Sequence, residues 1–153
     1  MWDGIFAATN LIAVAGWATL LLLPRRPALL AAVLYLGVGL LCLAYAAMLA
    51  GMVGGWLDPL RTPGTPEPDM ADYSVGGLMN LFASPGAIVL GWTHYLAFDL
   101  FAGLWIARDA DAKGFSRTAQ APVLLATFLV GPVGLGIWLL LRERRARAQG
   151  RWH

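Results

Sequence analysis

The chain has 153 residues, of which 59% are hydrophobic and 13% charged, with a formal net charge of +2 and a mean hydropathy of +0.65. A soluble domain is about 45–50% apolar and about 25% charged, so these values exclude one and point to a single small membrane domain covering residues 1–153. The lone Cys42 excludes an internal disulfide and a Cys-based metal site, and reads as a small buried hydrophobe.

A membrane span needs about 20 apolar residues, and four stretches supply them: about 4–23, 28–53, 85–107 and 121–141. The expected fold is all-α, a bundle of four transmembrane helices. Met1-Trp2-Asp3 is acidic rather than basic and no small-residue cleavage site follows, so the first helix is expected to remain, capped by Asp3. Pro24-Arg25-Arg26-Pro27 ends it in a rigid basic turn that forces an antiparallel return. The second span runs out at Gly51 to Gly55. Residues 54–73 then form a Pro-rich, acidic surface loop, with Asp58, Glu67, Asp69 and Asp72 against Arg61.

From Tyr73 to Ala107 the only fixed charge is Asp99, and a straight helix of that length would run about 52 Å, too long to stay unbroken. Ser84-Pro85-Gly86 is the expected break, with Ser as N-cap and Pro at the first helical position. Ser74 to Ala83 becomes a short re-entrant or interfacial helix before the third span; a crossing by this piece is the alternative. In the last span, Gly131-Pro132-Val133-Gly134 predicts a mid-span kink that opens a crevice.

Orientation does not resolve. In a straight four-span path Arg25 and Arg26 share a side with Arg108, Lys113 and Arg117, while Arg61 and the basic tail at 142–153 share the other, so the positive-inside count is nearly balanced. The tail slightly favours both termini in the cytoplasm. It reads chiefly as a solvated helix end, with contact to anionic lipid as the alternative.

The chemistry concentrates in Trp92-Thr93-His94-Tyr95-Leu96-Ala97-Phe98-Asp99-Leu100-Phe101. Ionisable groups at bilayer depth are expensive, about 2.5–3.5 kcal/mol for Asp on insertion scales, and normally face the bundle interior with a partner. Helical spacing puts Trp92, Tyr95, Asp99 and Ile106 on one face and His94, Phe98, Phe101 and Trp105 on another, with His94 and Asp99 about 140° apart. Thr93, Asn10, Thr19, Thr127 and Tyr95 are the partners on offer. Two readings compete: interhelical hydrogen-bonding glue, or a proton-handling site in which an apolar cavity keeps Asp99 a neutral acid and His94 a neutral base. In the second, Asp99, His94 and Tyr95 are catalytic, and Trp92, Phe98, Phe101, Trp105 and Pro132 line the substrate. A haem ligand role for His94 lacks a second internal His. Asp109 and Asp111 read as part of a solvated loop with helix-end charge pairing rather than a cation site, and no metal or cofactor is expected.

At these residues the chain resembles the abscisic-acid-deficient-four-like family of membrane proteins related to plant neoxanthin synthase. The resemblance rests on Trp92 to Phe101, continues through Gly103, Trp105, Ile106, Arg108 and Asp109, and is joined by Leu125 and Thr127 to Leu135. It implies a carotenoid or other isoprenoid lipid as ligand, and an acid-base isomerisation such as the opening of an epoxide carotenoid. The composition suggests a bacterial member in the inner membrane. Expected partners are membrane lipid and that ligand, with self-association or a pathway enzyme besides, and no nucleic acid. A non-catalytic pigment-binding or assembly protein is the second reading. A small proton-coupled transporter is the third, weakened because the first two spans carry no counterpart of His94 and Asp99.

Overall fold

The computed structural model describes residues 1–149, with side chains through Glu143. The chain is all-helical among these residues: α1 (Trp2–Leu22), α2 (Pro27–Val53), α3 (Val75–Leu81), α4 (Pro85–Ala112) and α5 (Arg117–Gln149). Four of the five are long and apolar enough to cross a membrane, so this is a membrane protein. Expectations for the basic tail beyond Glu143 lie outside the described side chains.

The starts follow the local chemistry. Ser74 accepts from Gly77 N–H at 3.1 Å to open α3, and Ser84 accepts from Ala87 N–H at 3.3 Å, with Pro85 at the first position of α4. The break in the long apolar stretch falls where the sequence placed it. Asp3 does not cap α1; Met1 takes the cap position without a side-chain bond, and Asp3 sits in the first turn, where its charge complements the macrodipole. The charged run after Ala107 extends α4 by five residues, to Ala112. It ends in a Schellman turn, where Gly114 at φ 66° lets Phe115 N–H reach Ala110 O and Gly114 N–H reach Asp111 O, both at 3.0 Å.

α4 is the axis of the bundle, packing on α1, α2 and α5. Small residues let it approach closely. A Cβ on Gly16 of α1 would lie 2.7 Å from Leu100 and one on Gly37 of α2 2.9 Å, so both glycines exist as seats for that side chain. Gly37 lies in a wide π-helical segment of α2, Val33–Gly39, which the sequence did not signal. Gly103 likewise receives the Trp17 ring. Cys42 is exposed on the outside of α2, contrary to the expectation of burial, because the buried stripe of that helix runs through Val33, Val38, Leu41 and Met48.

The path of α5 could not be read from hydropathy. Its backbone leaves helical geometry at Val130 (φ −143°, ψ 41°) and Gly131 (φ 11°, ψ −83°), directly before Pro132. Beyond the break the chain turns back. Gly134 presses on the backbone of Thr127, residues that a straight helix would hold about 10 Å apart. Trp138 Nε1 donates to Asp109 at 3.0 Å and its ring meets Phe115 edge-on at 5.0 Å, although a straight antiparallel α5 would set Trp138 beside the opposite end of α4. Helix α5 is therefore a helical hairpin: an ingoing arm at 117–129, an apex at Val130 and Gly131, and a return arm from Pro132. The expected kink is there, enlarged to a reversal.

Candidate functional site

The hairpin apex meets α4 at Asp99, in the middle of that helix. A Cβ on Gly131 would collide with Asp99 Oδ1, so the absence of a side chain at 131 is what seats the apex on the carboxyl group. Tyr95, one turn earlier on the same face, lies beside both the Asp99 carboxyl and the Gly131 backbone. Asp99 Oδ2 is buried and has no hydrogen-bond partner. Buried polar atoms are nearly always satisfied, so an orphan carboxyl oxygen at bilayer depth invites an explanation in function.

The other expected partners are occupied locally. Thr93 donates to Val89 O at 2.8 Å, Thr127 to Val123 O at 2.9 Å and Thr19 to Ala15 O at 2.8 Å, each bonding one turn back along its own helix. Asn10 donates to Phe6 O and accepts from Trp92 Nε1 at 3.2 Å. None reaches Asp99. The Asn10 to Trp92 bond adds a polar point to an aromatic row, Phe6, Trp92 and Tyr95, with ring centroids 6.0 Å and 5.2 Å apart in sequence. This row runs from the start of α1 up to the Asp99 carboxyl, beneath the hairpin apex.

His94 is elsewhere. It is exposed on the outer face of the bundle, stacked on Phe98 at 4.5 Å and near Tyr45 of α2 at 5.7 Å, so the expectation that both ionisable groups point into protein is corrected for His94. The reason is the 140° between the two positions: α4 can bury only one of those faces against α1 and the hairpin, and it buries the one carrying Asp99. Phe98 (61% exposed) and Phe101 (50%) share the outer surface with it. Trp105 sits toward the far end of α4, its ring 5.5 Å from the Arg142 guanidinium, and Pro132 is exposed at the start of the return arm. Of the residues singled out from sequence, the structure brings together Trp92, Tyr95 and Asp99, and leaves His94, Phe98, Phe101 and Trp105 apart from them.

A second polar cluster, missed as a unit from sequence, fixes the hairpin. Asp109 accepts from Trp138 Nε1, from Arg142 Nε at 2.7 Å and Nη2 at 3.2 Å, and pairs with Lys113 at 3.3 Å. Arg25 bonds Asp111 at 3.1 Å and Ala107 O at 3.0 Å, and Gln120 bonds Asp111 at 2.8 Å. Burial is the chief influence on Arg25 and lowers its guanidinium pKa, against the opposing charge of Asp111. Asp109 and Asp111 thus make the expected charge pairs, but from the last turns of α4 rather than a solvated loop, with Asp109 enclosed by the return arm. Among the described residues no group of three His, Cys, Asp or Glu could hold a metal ion.

The sequence pattern of the ABA DEFICIENT 4-like family matches residues 4–138, which takes in the aromatic row, Asp99 and the whole hairpin apex. The chain belongs to the ABA DEFICIENT 4-like family. No curated protein sequence and no solved structure matches the chain.

Proposed function

We propose that this protein binds a carotenoid or other isoprenoid lipid beneath the hairpin apex and acts on it through Asp99. The observation that carries the reading is the buried, unpartnered Asp99 Oδ2 at the end of an aromatic row. An apolar site with one acid suits a long hydrocarbon bearing a single oxygen function. The aromatic faces of Phe6, Trp92 and Tyr95 take the apolar body, and the carboxyl meets the oxygen. Family membership supports the same ligand class.

The chemistry in this reading needs one residue rather than two. A neutral Asp99 protonates an epoxide oxygen as the C–O bond breaks, and the carboxylate so formed takes the proton released from the neighbouring carbon. The substrate is isomerised and no net proton is consumed. Tyr95 orients the carboxyl. His94, 140° away on the outer face, has no part in it, and this favours the single-acid scheme over the acid-base pair suggested by the sequence. Pure pigment binding without turnover is the second reading, favoured by the same displacement of His94. In this reading the protein works in a bacterial inner membrane.

The test is expression in a carotenoid-producing host, purification in detergent, and mass analysis of the extracted ligand and of the host's pigment pool. A bound isoprenoid with a new isomer in the pool is the expected result. A bound isoprenoid with an unchanged pool leaves only the binding reading, and a protein free of isoprenoid overturns both.

A further inference from the structure

The hairpin changes which charges share a side of the membrane. At one end of the bundle lie the turn before α2, the turn after α4 and the returning end of α5. Arg117 donates to Leu21 O, Arg25 to Ala107 O, and Arg142 to Asp109. This end carries Arg25, Arg26, Arg108, Lys113, Arg117 and Arg142, and the return arm runs on through positions 144, 145 and 147, all Arg. At the other end Trp2 Nε1 donates to Asp58 O at 3.1 Å, Gly86 N–H to Pro59 O at 3.0 Å and Arg61 to Asn80 O at 3.4 Å. That end carries Asp3, Asp58, Glu67, Asp69 and Asp72, with Arg61 its one basic residue among those described. The near-balance found for a straight fourth span is gone: six basic residues with described side chains now face one.

We infer that α1, α2 and α4 cross the membrane while α5 enters from the cytoplasmic side and returns to it, leaving the N-terminus and the acidic loop on the opposite side. Lengths agree with this. The ingoing arm, 117–129, is about 20 Å long and Pro132 to Glu143 about 18 Å, each some two-thirds of a hydrocarbon core of about 30 Å. Broken backbone at such depth is tolerated where protein covers it, and at the apex Gly131 is buried against Asp99 and Tyr95 while the Val130 side chain stays exposed. Basic residues in short loops and near span ends set orientation, and here they gather at the hairpin's base. The inference also deepens the reading of the site, on which its own truth does not depend: below the apex the hairpin leaves α4 uncovered, so the aromatic row leading to Asp99 opens to the leaflet on the non-cytoplasmic side.

Single cysteines in a Cys42→Ser background test the path without any ligand. Thr65→Cys reports the acidic loop, Ser116→Cys the turn before α5 and Glu143→Cys the return arm, each probed with a membrane-impermeant maleimide on intact cells and on inverted vesicles. Thr65→Cys should label only from outside, and Ser116→Cys and Glu143→Cys only from the cytoplasmic face. Labelling of Glu143→Cys on the same side as Thr65→Cys overturns the hairpin's return. Labelling of Thr65→Cys from the cytoplasmic face overturns the orientation. Should a cysteine variant fail to accumulate, reporter domains fused at the N-terminus and after Glu143 give the same two answers: the inference requires the first outside and the second in the cytoplasm, both on one side overturns the hairpin's return, and the reverse arrangement overturns the orientation.

Discussion

The two faces of α4 carry one ionisable residue each near mid-membrane and treat it in opposite ways. Asp99 is pressed against a broken helix with Tyr95 beside it and one oxygen unsatisfied. His94 lies exposed on the outside, beside the rings of Phe98 and Tyr45. An imidazole ring stacked on Phe98 retains packing in an apolar setting. A carboxyl group has no such refuge, so the fold must build something around it. The difference teaches that depth in the membrane does not by itself mark a working residue; what the surrounding backbone gives up to reach it does.

That contrast is broken or sharpened by substitutions. The largest effect is expected from Gly131→Val, whose branched side chain would occupy the space of the Asp99 carboxyl. Overpacking typically costs about 1–3 kcal/mol and occasionally more; here it also unseats the apex, so the cost should exceed about 3 kcal/mol and the protein should lose its thermal transition in detergent or melt far lower. Gly131→Ala combined with Asp99→Ala should recover part of what Gly131→Ala alone loses. Strict additivity of the two changes would show that the residues do not touch.

Next comes Asp109→Ala, which removes the acceptor shared by Trp138, Arg142 and Lys113. Breaking a largely buried charge cluster from one side costs about 3 kcal/mol, and the return arm should become sensitive to protease before the rest of the chain. Uniform digestion of all helices would mean that the cluster does not anchor the arm.

Asp99→Asn is expected to abolish turnover while shifting stability little, since interhelical hydrogen bonds in membranes average about 0.6 kcal/mol and Asn keeps the shape. Full turnover in this variant, measured as product isomer in a pigment-making host, would remove the acid from the mechanism. His94→Gln should give the smallest effect of all, within about 0.5 kcal/mol in stability and unchanged in turnover. A His94→Gln protein that folds but is inactive would restore the two-residue scheme and invert the comparison of the two faces.

Much was legible in the letters because it depends on short-range physics. Four apolar stretches of sufficient length fix an all-helical membrane chain, whatever their packing. Ser74, Ser84 and Pro85 set helix starts through bonds made within a few residues, and Trp92, Tyr95 and Asp99 share a face because helical periodicity is local. Gly131-Pro132 marked where α5 would yield. How far it yields was not legible, because a kink and a reversal use the same residues, and contacts between Trp138 or Arg142 and Asp109, about 30 positions earlier, decide between them. Which face of α4 turns inward was open for the same reason: spacing separates His94 from Asp99, but only the seats that Gly16, Gly37 and Gly131 offer to Leu100 and Asp99 choose the rotation. Sequence gives each helix its length and its stripes, and the close approach of backbones at small residues, a property of pairs of helices, determines how the stripes meet.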